Sequence, residues 1–447
     1  MTRVLVIAGL IWLGGLAWTA AALAASGGAL LPAFVARVLL LHLIYLAAVV
    51  AMIRRPRIRP GTGGRCTNLR MTLIVIFAVA LLGRLWLWGA GDPLLSGDVY
   101  RYLWDGRLIL NGINPYGPAP DDPLLTGMRD WIFWERMGFR DHPTIYPPGA
   151  QGLFALMARL GSDSVLPARL VLTALEMGAA LWLVRLLPAL GQAPERIIIW
   201  LWNPLAAIEI AYSAHLEGAV AALTVAAIAA AAARRPRAAG LGLGLAGLLK
   251  LYPLVLAPAL WRSPDRRLPL ALAATLTVGV APLFFTGHPG SALMRFGTET
   301  GFNAPVALYA AELAALLLQD AEAARLAVNG VLMGALALIG AWTAWGRGAA
   351  FDLPGRLLVM GMAAVVLAPV LHPWYLVWLL PVMVIRPAPP LLVLSGTVMI
   401  SYLFYLPPDR VIAGLWLAEW LPVVAAAFGW WGWRRRKKGN EKIKQYH

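Results

Sequence analysis

The sequence predicts an all-α integral membrane protein with about 12 transmembrane helices and one re-entrant hairpin. Three observations predict it. Of 447 residues, 60% are hydrophobic and only 13% are charged, about half the charged share of a soluble domain. The apolar runs reach the roughly 20 residues that span a bilayer. They are continuous and rich in Ala and Leu, unlike the alternating segments of a transmembrane barrel. A soluble enzyme, a disordered chain and a disulfide scaffold are excluded, and the single Cys66 can form neither an internal disulfide nor a thiolate cluster.

The net charge of +16 is concentrated. Arg54, Arg55, Arg57, Arg59, Arg65 and Arg70 share one loop without an acid, and Arg434 to Lys444 carry another cluster. Basic runs beside apolar segments mark cytoplasmic loops that meet anionic lipid headgroups. Their distribution points to membrane lipids, with no nucleic acid as partner.

The elements follow in order from that sidedness. Residues 1–70 read as two N-terminal helices, the first resembling a signal segment but too long for one, and a basic cytoplasmic loop. Residues 71–260 form the central core. Met71 to Gly89 crosses outward, and Gly91 to Pro148 is an outer loop holding eight of the 22 acids. Gly149 to Leu160 is too short to span and reads as an interfacial helix. Val165 to Leu190 returns, Ile197 to Tyr212 goes out, and Glu217 to Ala233 comes back. Ala238 to Trp261 has basic clusters at both ends, so it reads as a broken hairpin with Lys250-Leu251-Tyr252-Pro253 at its tip. Residues 261–433 supply the remaining helices: Leu268 to Phe285, a second outer loop to Asn303, an interfacial Ala304 to Leu318, then Ala323 to Trp345 and Leu357 to Leu371. Residues 434–447 are a basic cytoplasmic tail.

The chemistry-bearing residues gather on the outer side. On a helix starting near Asp98, residues Asp98, Arg101, Tyr102 and Asp105 share one face; the plain alternative is a surface helix capped by Asp98. Tyr146 lies in the same loop. His215 and Glu217 follow Trp202-Asn203-Pro204, Lys250 and Tyr252 sit at the hairpin tip, Asn303 lies in the second outer loop, and His372, Trp374 and Tyr375 end a later helix. An ionisable residue at membrane depth is costly and points to function. Each also has a plain reading: Lys250 snorkels, His215 pairs with Glu217, and Trp374 and Tyr375 anchor at the interface. Together they describe a polar outer cavity.

The ordered set Asp98-Val99-Tyr100-Arg101-Tyr102, Asp105-Gly106-Arg107, Asn114-Pro115-Tyr116, Tyr146-Pro147-Pro148, Trp202-Asn203-Pro204, Lys250-Leu251-Tyr252-Pro253 and His372-Pro373-Trp374-Tyr375 resembles the GT-C glycosyltransferases. It is most similar to bacterial polyprenyl-phosphate-mannose-dependent mannosyltransferases, including the α-1,6-mannosyltransferases, and more distantly to the first mannosyltransferase of GPI-anchor synthesis. The resemblance implies a GT-C fold and transfer of a hexose, mannose foremost, from a polyprenyl-phosphate donor to a lipid or glycan acceptor. It implies a multi-pass protein of the bacterial inner membrane with its site facing the periplasm.

The resemblance makes Asp98 the carboxylate of the first outer loop. Direct inverting attack needs one general base, which is Asp98, with His372 as second catalytic candidate. Lys250, Tyr252 and Arg101 would hold the donor phosphate. Tyr102, Asp105, Tyr146, His215, Glu217, Asn303, Trp374 and Tyr375 are the substrate-binding candidates, and Trp104 is a further ring suited to stacking on a sugar. No cofactor and no metal ligand is expected, although a divalent ion stays open, because Val99 follows Asp98 where many members have a second acid. No nucleotide-binding signature is present. A transporter or flippase for a lipid-linked sugar is the alternative; such folds commonly carry internal repeats, and none is evident.

With Cys66 removed, a cysteine at Gly127 should react with a membrane-impermeant thiol reagent in intact cells. Protection until lysis would invert the topology.

Overall fold

A computed structural model describes residues 2–24, 31–54, 64–161, 163–284, 301–406 and 414–443. The arginine-rich loop 55–63, most of the second outer loop (285–300) and residues 444–447 lie outside them. Among the described residues the secondary structure is helical, apart from one isolated bridge between Phe302 and Val370. The helices are α1 (Thr2–Ala24), α2 (Leu31–Ile53), α3 (Gly64–Trp88), α4 (Asp98–Leu110), α5 (Pro148–Leu160), α6 (Leu166–Leu186), α7 (Ile198–Leu201), α8 (Pro204–Ala206), α9 (Glu217–Ala232), α10 (Pro236–Leu249), α11 (Ala257–Leu260) and α12 (Arg267–Phe284). After the second outer loop come α13 (Pro305–Leu318), α14 (Ala321–Trp345), α15 (Leu353–Val366), α16 (Leu380–Ile385), α17 (Pro389–Thr397) and α18 (Leu415–Ile443).

Six described helices are long and apolar enough to cross a membrane, and a seventh crossing arises if the bent pair Pro204–Tyr212 and Glu217–Ala232 is one span. Sequence periodicity suggests about 12. The difference lies in proline. Ile197 to Tyr212 reads as one apolar run, yet it breaks at Asn203-Pro204, where Pro204 has no N–H to donate and the Asn203 side chain accepts from the Leu205 amide at 3.0 Å. Leu353–Val366, Pro373–Ile385 and Pro389–Tyr405 are likewise short apolar helices, each begun by a proline in its first turn.

The chain changes direction after α10. Gly240 of α10 lies against Leu268 of α12, Gly244 against Thr275, and Leu248 against Gly279. The two helices therefore run parallel, so residues 250–266 must return to the level where α10 began. With 14 residues, α10 is about 21 Å long, short of a full crossing. At the foot of the return, Trp261 packs edge-on against Trp345 and its carbonyl accepts from Arg356 at 2.8 Å.

Three groups of contacts fix the bundle around the site. Arg84 makes a bidentate pair with Glu176 at 2.6 Å, both fully buried, and also donates to the carbonyls of Ala80 and Leu201 at 3.1 and 3.0 Å. Arg169 donates to the carbonyls of Tyr212, Trp88 and Gly91 at 2.9, 2.9 and 2.7 Å, tying the ends of α3 and α6 to the turn before α9. The N-terminal helices brace the same region. Trp12 stacks on Trp202, Tyr45 donates to the Ile199 carbonyl at 2.7 Å, and His42 meets the Leu392 carbonyl at 2.9 Å.

Removing one partner of a buried pair leaves the other charge uncompensated. Arg84→Met should therefore destabilise the protein by about 3–5 kcal/mol. Thermal unfolding in detergent checks this, and Arg84→Met/Glu176→Met should recover most of the loss.

Candidate active site

One cleft of about 1930 Å³ opens beside α4, and Asp98 is among its lining residues. The mouth is walled by Asp92, Ser96, Arg136, His142 and Tyr146. Its apolar lining comes from the hairpin return, α12, α14 and α15 and includes Leu254, Pro258, Leu272, Met333, Met360, Trp261 and Trp345.

Asp98 is the first residue of α4, and the helix is capped by Gly97 with no side-chain cap bond. The capping role is thus unfilled and the carboxylate is free for other partners. Its Oδ2 receives the hydroxyls of Tyr102 and Tyr146 at 3.4 and 3.3 Å and lies 3.6 Å from His215 Nδ1. The positive end of the α4 dipole also favours an anion there. Burial, then the Asp98 charge, push the Tyr146 phenol well above its ordinary range, so it stays a hydroxyl donor.

The four residues expected on one face separate into two i,i+4 pairs. Asp98 lines the cleft, with Tyr102 buried behind it. Arg101 and Asp105 make a buried ion pair at 2.8 Å, and Arg101 also donates to the carbonyls of Phe139 and His142 at 3.1 Å each. Arg101 lines the cleft, but its guanidinium is occupied in clamping the loop to α4. The loop is closed further out by Asp130, which accepts from the amides of Ile132, Phe133 and Trp134 and pairs with Arg107. Against a desolvation that would raise it, these donors hold the Asp130 carboxyl below its ordinary range.

The floor is the hairpin tip. Lys250 Nζ and the Tyr252 hydroxyl both donate to Glu217 Oε1, at 2.6 and 2.7 Å. The ammonium lies 5.8 and 5.6 Å from the ring centres of Tyr146 and Tyr375. The expected His215–Glu217 pair does not form, because α9 starts at Glu217 and presents it to Lys250 while His215 turns toward Asp98.

The far wall is a run of stacked rings: His215 on Trp374 at 4.2 Å, Trp374 on His372 at 4.5 Å, His372 on Phe302 at 4.5 Å and Phe302 on Tyr405 at 5.3 Å. The Tyr405 hydroxyl reaches His372 Nδ1 at 3.3 Å. Burial, then the Lys250 charge, depress His372 to about 3, so its imidazole is neutral at physiological pH.

Asp98, Arg101, Tyr146, Lys250, Tyr252, His372, Trp374 and Tyr375 line the cleft. Tyr102, His215 and Glu217 lie just behind the wall. Asp105 is buried in its pair with Arg101. Asn303 turns away, donating to Glu419 at 2.9 Å and to the Leu371 carbonyl at 3.3 Å. Trp104 is fully buried, off the cleft and out of reach of a sugar. Glu209, Tyr402 and Tyr405, which belong to the same cluster, sit in apolar runs without a motif; only the charge of Glu209 at membrane depth marks it in sequence. No group of three His, Cys, Asp or Glu able to hold a metal ion occurs among the described residues.

A family model described as alpha-(1->6)-mannopyranosyltransferase, N-terminal domain, of the MptA/B family, matches residues 1–262, more than half of the chain. The chain belongs to this family. It is therefore an enzyme, a mannosyltransferase of the membrane, and the transport alternative is set aside. No curated protein and no solved structure matches the chain.

The Lys250–Glu217 pair makes a simple charge removal informative. Lys250→Met strands a fully buried carboxylate and should lower stability by about 3–5 kcal/mol. Lys250→Met/Glu217→Gln should regain the thermal stability but not mannose transfer, as read by unfolding and product formation side by side.

Proposed function

We propose that this mannosyltransferase takes mannose from a polyprenyl-phosphate donor and attaches it, with inversion, to a hydroxyl of a lipid or glycan acceptor. The observation that carries the reading is the cleft, whose lining joins a long apolar stretch to a carboxylate, Asp98, and a lysine, Lys250. Small-molecule pockets are about 300–1,000 Å³; this cleft, at about 1930 Å³, suits a sugar phosphate with part of its lipid chain. A nucleotide sugar would gain nothing from the apolar stretch.

In the reaction the acceptor oxygen attacks the anomeric carbon while Asp98 takes its proton, and the sugar–phosphate bond breaks with its electron pair leaving on the phosphate. Asp98 suits a base because it is partly exposed in the cleft wall and its neighbours Tyr102 and Tyr146 are neutral. Lys250 and Tyr252 line the same cleft and would stabilise the departing phosphate. Arg101 supports the reaction through the loop it holds. Neutral His372, held by Phe302 and Trp374, would orient the phosphate or sugar as a hydrogen-bond partner. Trp374 and Tyr375 present ring surface for a sugar.

The acid-rich loop and the two basic clusters support a bacterial inner-membrane enzyme with the Asp98 end outside the cytoplasm. Counted with the hairpin, the proline-broken short helices would bring the crossings toward the dozen of the GT-C reading.

Asp98→Asn keeps the side-chain shape and removes the base, so kcat should fall about 100-fold or more with thermal stability nearly unchanged. Asp105→Asn should do the reverse, loosening the Arg101 clamp and lowering the melting temperature first. Full transfer by Asp98→Asn would assign the base to another residue.

A further inference from the structure

Behind Asp98 stand two groups that the proposed mechanism does not use. His215 Nδ1 lies 3.6 Å from Asp98 Oδ2, and on its other side His215 Nε2 lies 3.4 Å from Glu209 Oε2. The Tyr402 hydroxyl donates to Glu209 Oε1 at 2.8 Å. Both His215 and Glu209 are fully buried. Beyond these approaches, neither ring nitrogen of His215 nor Oε2 of Glu209 has a hydrogen-bond partner among the described residues.

The backbone is shaped to hold this line. Glu209 sits in a single π-helical turn, Ala207–Tyr212, a feature frequent at functional sites. Ala214, just before His215, has φ +56°, an uncommon and strained conformation for a residue with a side chain. The His215 amide bonds back to the Glu209 carbonyl at 2.8 Å, and Trp374 stacks on the imidazole at 4.2 Å. The ring plane is therefore fixed along the axis from Asp98 to Glu209.

A fully buried carboxyl that no cationic side chain meets is far less costly as the neutral acid. The neutral acid has one acceptor oxygen and one hydroxyl. Tyr402 already donates to Oε1, so the proton belongs on Oε2, facing His215 Nε2. An imidazole that accepts at Nε2 carries its own proton on Nδ1, the ring nitrogen on the Asp98 side, 3.6 Å from Oδ2.

We infer that Glu209 is a positioning residue: as a protonated acid it fixes His215 in the Nδ1–H tautomer, which with Tyr102 and Tyr146 orients Asp98. The inference rests on Asp98 being the base of the proposed transfer. The groups facing the line are Asp98 and Tyr102 of α4, Tyr146 of the loop, Ser213 of the turn, Glu217 of α9 with Lys250 and Tyr252, His372 beside Trp374, and Tyr402 and Tyr405. Lys250, the cation of this set, is satisfied by Glu217 and does not compete for Glu209.

The chemistry makes an unusual prediction for the amide. Gln at position 209 can accept from Tyr402 and donate to His215 as the neutral acid does. Glu209→Gln should keep kcat within about threefold of wild type. Glu209→Leu should lower kcat about 10-fold or more, the scale of one hydrogen bond to a charged group, at unchanged donor KM. It should also move the acid limb of the kcat/KM profile to higher pH, because an Asp98 that has lost a donor protonates more easily. Tyr402→Phe should show a smaller effect in the same direction.

A folded Glu209→Gln as inactive as Glu209→Leu would overturn the inference, since the ionised carboxylate would then be needed. So would a Glu209→Leu variant with wild-type kcat and pH limb. Histidine ¹⁵N spectra, with His215→Asn as the difference control, decide the tautomer without any assay. An Nδ1–H neutral ring in the wild type supports the inference, and an Nε2–H ring or an imidazolium overturns it. Lack of transfer by the wild type would count against the proposed donor, while the spectra would still assign the tautomer.

Discussion

A lysine ammonium can be held at bilayer depth only if something there meets its charge. In this protein Glu217 meets Lys250 at 2.6 Å, and much of the site's architecture follows from bringing those two atoms together. The hairpin has to stop short of a full crossing so that its tip, and not a lipid-exposed stretch of helix, carries the lysine. The glycines of α10 let it lie close enough to α9 and α12 for that tip to reach the first residue of α9. Broken backbone at such depth is tolerated where protein or a watery cavity surrounds it, and the cleft supplies both.

The pair also divides the electrostatics of the cleft. With Glu217 and Lys250 paired with each other and Tyr252 also bonded to Glu217, the neighbouring carboxylate of Asp98 is left with neutral partners: two tyrosines and an imidazole. A base needs that condition, because a directly bonded cation would stabilise the anion and weaken its hold on a proton. Arg101, the nearest guanidinium in sequence, is kept for Asp105 and for two loop carbonyls. Two i,i+4 pairs on one short helix thus serve different ends, one chemical and one mechanical.

Much of this is legible in the amino-acid sequence. Composition alone points to a helical membrane protein, and basic clusters on both flanks of residues 238–261 suggest a hairpin; in the fold α10 and α12 run parallel. The residues that line the cleft are conspicuous largely because ionisable and aromatic side chains are rare at membrane depth. Other features are hidden for physical reasons. Proline breaks in residues 197–212 and 353–405 do not interrupt an apolar run, so hydropathy counts segments that cannot cross alone. Which of four residues on one helix face turns to a cleft depends on what packs opposite: Phe154 under Tyr102, the 139–142 loop over Arg101. Asn303 reads as a loop residue of the site and serves as a tether to Glu419, a contact 116 residues away in sequence. Glu209 carries no motif, since its role depends on a turn geometry that the sequence does not spell out.

The central claim is that mannose arrives on a lipid phosphate and leaves it at Asp98. The most direct measurement gives purified protein in nanodiscs radiolabelled polyprenyl-phosphate mannose in one arm and a labelled nucleotide mannose in the other, with membrane lipid extract as acceptor. The account predicts labelled product from the lipid-linked donor alone. Product from the nucleotide sugar, with none from the lipid donor, would contradict it.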